Sequence, residues 1–153
     1  MNMMLGLIIL CVCTYVGYNL SKKFTLRTKY YNSFLNFNKK LQNEISFTQA
    51  TLFDILEDKR EDGDFYWCVA TYLSNNKFEF VGKYIKDEEL DFLNNYLKTI
   101  GKSDKDTQIN YLKSAEKTIE EKLSLSSYEE KRYKTLYIKL GFLIGLIAFI
   151  ILL

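Results

Sequence analysis

Two apolar stretches on either side of a charged segment constrain this chain more than any other feature. The first, residues 3–20 (MMLGLIILCVCTYVGYNL), has no charged side chain. The second, residues 136–153 (LYIKLGFLIGLIAFIILL), has only Lys139. About 20 apolar residues of helix cross roughly 30 Å of hydrocarbon, and lipid offers no partner to an open backbone. Both stretches are close to that length, so each is predicted to be a transmembrane helix with little excess to absorb by tilt. A cleaved leader fits poorly. Residues 1–10 contain no Lys or Arg, and residues 14–23 have no small-residue cleavage pattern. Cys11 follows Ile9 and Leu10, not the small residues expected before a lipidated cysteine. The second stretch is apolar on every face, which favours a span over a one-sided core helix.

The net charge of +2 conceals a segregation. Lys22, Lys23, Arg27, Lys29, Lys39 and Lys40 lie in residues 21–40, and Lys131, Arg132, Lys134 and Lys139 in residues 131–139, with no acid in either collar. All 19 acids lie between Glu44 and Glu130 with the other 11 basic residues, so the middle nets −8. Basic residues beside a span mark its cytoplasmic side. Both collars are on the inner flanks, so the middle is expected in the cytoplasm with both termini outside. The collars are also expected to attract anionic lipid, at about 1 kcal/mol per residue near the surface. The acidic middle reads first as a solvated surface, with a face for a basic partner as the sharper alternative.

Several classes of chemistry lack their residues. There is no histidine, hence no imidazole general base. GxxxxGK[ST] does not occur, and Ser and Cys have no evident activating partner. Cys11 and Cys13 fall in the first span and Cys68 in the run FYWCVA, which is neither a disulfide framework nor a metal-ligand spacing. Cys68 reads as a small core residue in a reducing compartment. Asp54, Glu57, Asp58, Glu61, Asp62 and Asp64 lack the oxygen spacing of a calcium loop and read as a solvated helix end. Tyr15, Tyr18, Tyr133 and Tyr137 fit an interfacial belt. Tyr30, Tyr31, Phe34 and Phe37 fit a core better than a nucleic-acid stacking platform. The expectation is a non-enzymatic protein with no cofactor, no metal and no nucleic-acid partner.

Periodicity makes the middle helical. Tyr30, Phe34, Phe37, Leu41 and Ile45 step by 4, 3, 4 and 4 along one face, on a helix that can run on from the first span. Thr51–Lys59 is predicted as a short helix, Lys59–Asp64 as a turn around Gly63, and Phe65–Leu73 as a buried helix in preference to a strand. Lys77–Tyr84 alternates like a strand but is short and isolated, so it is assigned to loop. Asp87, Glu88 and Glu89 open a helix with a Leu90, Leu93, Leu97, Ile100 stripe and Gly101 as C-cap. Ser103 or Asp104 caps the next helix, where Glu116 interrupts an Ile109, Leu112, Ile119, Leu123 stripe. That helix is free of Pro and Gly to Leu140 and is predicted to reach the second span. The reading is an all-α, membrane-anchored bundle of about five helices. It divides into a span over 3–20, one cytoplasmic helical domain over 21–135, and a span over 136–153.

Along its whole length the chain resembles the stage III sporulation protein AB family. The resemblance is carried by the basic helix after the first span, by Glu44-Ile45, by Ile100-Gly101-Lys102-Ser103-Asp104 with Gln108, and by Leu140-Gly141-Phe142-Leu143-Ile144-Gly145-Leu146. It departs from the family at Ala50-Thr51-Leu52, where Thr-Pro-Leu is usual, at Ile100, where Leu is usual, and in a short middle. The resemblance implies a part in the channel joining mother cell and forespore. It also implies a soluble domain like that of the type II secretion and pilus inner-membrane platform protein, facing a secretion-type ATPase and other channel subunits from the mother-cell side of the bacterial membrane.

Two constellations stand out as candidate contact sites. Gly101, Ser103, Asp104 and Gln108 form a turn whose structural role is to cap helices, and whose exposed corner would suit a partner. Gly141 and Gly145 form a GxxxG that lets a second helix approach, either the first span through Gly6 or Gly17 or another copy or subunit, which leaves a homo-oligomer open. The functional expectation is a membrane scaffold that docks a cytoplasmic motor to a channel, its proline-free connections transmitting force or position. A membrane-anchored sensor or regulatory module is the alternative from another class.

Overall fold

The computed structural model describes residues 2–47, 63–75 and 84–152. Four helices account for nearly all of them: α1 (Asn2–Phe47), α2 (Asp64–Asn75), α3 (Asp87–Thr99) and α4 (Lys105–Leu152). The described residues contain no strand, so the all-α expectation holds, and Phe65–Leu73 is helical as expected. Among the described residues the helix count is four, not about five, and the expected helix over 51–59 lies outside them. So do most of the turn at 59–64, all of the 77–84 stretch except Tyr84, and the acidic cluster apart from Asp64. The two long helices follow from the absence of breakers. The chain has no Pro, and no Gly falls between Gly17 and Gly63 or between Gly101 and Gly141.

The chain forms two compact units, one of Met1–Thr28 with Leu125–Leu153 and one of Lys29–Ser124. In the first, the start of α1 and the end of α4 pack as an antiparallel hairpin. Its outer surface is apolar, with Met4, Ile8, Tyr15, Leu143, Ile147 and Ile151 all largely exposed. Among the described residues two helices are long and apolar enough to cross a membrane, and they contain these segments.

In the second unit, a core is assembled from all four helices. Tyr30, Tyr31, Phe34, Phe37 and Leu41 come from α1, Phe65, Cys68 and Val69 from α2, Leu93, Tyr96 and Leu97 from α3, and Leu112, Ala115 and Ile119 from α4. Phe34 is fully buried and central. Its ring stacks on Phe65 at 5.0 Å and meets Tyr96 edge-on at 4.8 Å. Such aromatic pairs add about 0.5–1.5 kcal/mol each beyond area burial. Burial pushes the Cys68 thiol up to about 11, so it stays protonated and behaves as a small apolar filler.

Candidate functional site

In the hairpin, every glycine sits at a contact. A Cβ on Gly141 would lie 2.7 Å from the carbonyl oxygen of Cys13 and 3.1 Å from the Cα of Gly17. One on Gly17 would lie 2.6 Å from the carbonyl oxygen of Tyr137, and one on Gly145 3.0 Å from the Cα of Leu10. The ring of Phe149 covers Gly6, 2.6 Å from where its Cβ would be. Backbones this close leave no room for side chains, which is the use of small residues where apolar solvent gives helices no hydrophobic reason to associate. Of the two packings open to the GxxxG, the structure shows Gly141 and Gly145 against the first apolar stretch.

Above the glycines the hairpin becomes aromatic and then charged. Phe24 stacks on Tyr133 at 5.3 Å and meets Tyr137 at 5.7 Å. Lys23 Nζ lies 5.0 Å from the Phe24 ring centre and 5.4 Å from that of Tyr137, and Lys22 Nζ lies 5.1 Å from that of Tyr18. Immediately beyond on α1, Thr25 Oγ1 donates to Glu130 Oε1 at 2.8 Å, Lys134 Nζ lies 3.5 Å from the same oxygen, and the Arg27 guanidinium pairs with Glu129. Burial alone would raise Glu130, but hydrogen bonds from Thr25 and Thr28 and the Lys134 charge outweigh it and hold the carboxyl below its usual range. This polar clamp was not foreseen from the sequence. Its trace there is the basic collar of α1 standing opposite Glu129-Glu130, the last acids of the chain.

The Gly101–Gln108 turn belongs to the second unit. Ile100, with φ −60° and ψ 135°, is the C-cap of α3, and Gly101 follows it at φ 79°. Lys102 N–H reaches back to the Thr99 carbonyl at 3.4 Å, which completes a type II turn. The C-cap is thus Ile100 and not Gly101, since glycine is needed one residue later, where φ turns positive. Asp104, not Ser103, caps α4: its Oδ2 accepts from Thr107 N–H at 3.1 Å. The Thr107 hydroxyl, then that backbone bond and neighbouring N–H groups, hold its carboxyl below the usual range. Gly101, Ser103 and Asp104 are exposed, whereas Gln108 is buried. The turn therefore presents three of its four named residues as a corner. At the other end of α3, Glu89 Oε2 accepts from Lys86 N–H at 3.0 Å, the reciprocal half of a capping box.

Two polar features of the second unit also went unpredicted. Tyr96 Oη donates to Asn38 Oδ1 at 2.7 Å, and Asn38 Nδ2 donates to the Leu112 carbonyl at 3.1 Å, tying α1, α3 and α4 through a fully buried amide. Glu116, which breaks the apolar stripe of α4, accepts from Gln42 Nε2 at 2.7 Å and lies 3.4 Å from Lys39 Nζ, which also reaches Glu120 at 3.3 Å. Asn38 stands on the α1 stripe, four residues after Phe34 and three before Leu41, and a polar residue there was the available signal. Among the described residues, no group of three or more His, Cys, Asp or Glu side chains comes together to hold a metal.

The family model for stage III sporulation protein AB matches residues 2–67 and 58–153. The chain belongs to that family. Membership gives it a role in sporulation, and the two candidate membrane-spanning segments fit a membrane protein of that process. No curated protein and no solved structure matches the chain.

Proposed function

We propose that the protein is a two-pass membrane scaffold of the channel between mother cell and forespore, its middle domain in the cytoplasm docking a secretion-type ATPase. The family match across both apolar ends and the helical middle carries this reading. Three things support its finer parts. The basic collars flank the middle on both sides, which favours a cytoplasmic domain. The hairpin has a glycine crossing suited to lipid, with an aromatic and lysine girdle at one end. The family resemblance brings the likeness to a secretion platform, and with it the ATPase and channel partners. The protein works without catalysis in this reading, by holding partners in place.

Topology is the decisive test. In a chain carrying Cys11→Ser, Cys13→Ser, Cys68→Ser and Lys102→Cys, the new thiol sits at an exposed turn. Protection from a membrane-impermeant maleimide until lysis is the expected result. Labelling in intact cells would put the domain outside and remove the ATPase from reach. Given protection, full-length protein in nanodiscs should capture the purified ATPase, and loss of the protein should block sporulation. Capture without any sporulation defect would move the reading to a dispensable regulatory module.

A further inference from the structure

Beside the glycine crossing lies an open groove of about 320 Å³. Gly17 and Gly141 line it together with Val12, Val16, Leu140 and Ile144, and Tyr137 lines it on the side of the aromatic and lysine cluster. The lining is almost wholly apolar, as expected of a surface facing hydrocarbon. From Val12 to Leu20 the groove follows α1 for about 12 Å at 1.5 Å per residue. That is close to the depth of one leaflet, about half of the 30 Å hydrocarbon core. A transmembrane helix from a partner or a second copy would need a seat through both leaflets. A single acyl chain needs only one.

The mouth of the groove is cationic. Tyr137, which lines it, lies under Lys23, and Lys22 stands next to it on α1 over Tyr18. Two other basic side chains of the hairpin are answered by acids, Arg27 by Glu129 and Lys134 by Glu130. Lys22 and Lys23 meet aromatic rings and, among the described residues, no carboxylate. Two unneutralised ammonium groups at the headgroup end of a leaflet-deep apolar slot call for a ligand that is anionic at one end and aliphatic below.

We propose that this groove is a binding site for one anionic phospholipid, its acyl chain between Val16 and Leu140 and its phosphate on Lys22 and Lys23. The inference rests on reading the apolar segments as membrane spans, and goes beyond it by naming the lipid class and the site.

Full-length protein, released from nanodiscs of equal parts phosphatidylglycerol and phosphatidylcholine and weighed by native mass spectrometry, should retain one phosphatidylglycerol per chain in clear preference. Lys22→Gln and Lys23→Gln should each cut that preference about fivefold. Leu140→Trp should fill the slot and remove retained lipid of both kinds, with helicity by circular dichroism checking the fold. If that variant loses helicity, the two lysine variants decide. Equal retention of the two lipids would overturn the proposal, as would indifference to both lysine changes. Phosphatidylglycerol still retained in a folded Leu140→Trp variant would mean surface attraction only, and also overturns it. A dimer that replaces the lipid and disappears with Leu140→Trp would assign the groove to a second copy. Alkaline carbonate separates the two levels. Protein extracted from membranes by it defeats the membrane reading and this proposal together, whereas protein that stays and shows no lipid preference defeats this proposal alone.

Discussion

In the hairpin unit α1 and α4 come close at Gly17, Gly141 and Gly145, backbone against backbone. In the second unit, stretches of the same two helices close on large side chains instead, with Tyr31, Phe34, Phe37 and Leu41 of α1 and Leu112 and Ile119 of α4 among the most deeply buried. The contrast follows from the solvent each segment suits. Water rewards removal of apolar area, so bulk at the interface is favourable. Hydrocarbon gives no such reward, and what remains is close contact, which small residues maximise. One helix can therefore obey two packing rules along its length, and its composition changes where the rule does.

The sharpest way to break this comparison is to remove bulk where bulk is supposed to matter. Phe34→Ala should destabilise the second unit by about 3–5 kcal/mol. The single tryptophan, Trp67 on α2, reports urea unfolding of full-length protein in micelles, and a midpoint near that of wild type would refute the placement of the core. The converse change adds bulk where none fits. Gly141→Val should cost about 1–3 kcal/mol by overpacking and should spare the Trp67 transition. Its readout is a cross-link. The Cβ of Cys13 lies 3.2 Å from a Cβ built on Gly145, a few tenths of an ångström under the span of a disulfide, so once the helices part by that much to admit the side chain, Gly145→Cys in a background of Cys11→Ser and Cys68→Ser should oxidise to Cys13. Gly141→Val added to it should lower that yield severalfold, and an unchanged yield would mean that the helices do not meet through these glycines.

The smallest effect belongs to the turn. Asp104→Ala should lower the thermal midpoint of the second unit by a few degrees through loss of the α4 cap. Its sign with pH is fixed by the depressed carboxyl. The cap's contribution is complete above the unfolded pKa, about 3.9, and is lost as pH falls through the lower folded value. Wild type and variant should differ at neutral pH and converge in acid. A gap that widens in acid would assign the effect to something other than the ionised cap.

Much of this architecture could be read from residue order alone. The stripe from Tyr30 to Leu41 is buried, with Ile45 packed against its edge, and Leu93, Leu97 and Ile100 are buried as their spacing required. The ends of α3 were legible to within a residue. Asp87 opens α3, and Gly101 marks the turn though not the cap itself. What periodicity could not supply is pairing between distant segments. Nothing near Glu116 in sequence explains a carboxylate on an apolar stripe, because its partners, Gln42 and Lys39, are on another helix. The same holds for Glu129 and Glu130 against Arg27 and Thr25. The GxxxG announced a close contact without saying with what, since glycine spacing specifies proximity and not identity.

Asn38 has a consequence for which substitutions the domain can accept. Aromatic and aliphatic side chains pack with little directional demand, so a core built only from them can settle in more than one register. Asn38 bonds the Tyr96 hydroxyl on one side and the Leu112 carbonyl on the other, and a slip of either helix would strand a buried amide. It acts as an index mark. The surrounding Phe positions can exchange for other bulky apolar residues without loss of register, while this one amide and the Tyr96 hydroxyl keep the helices in phase.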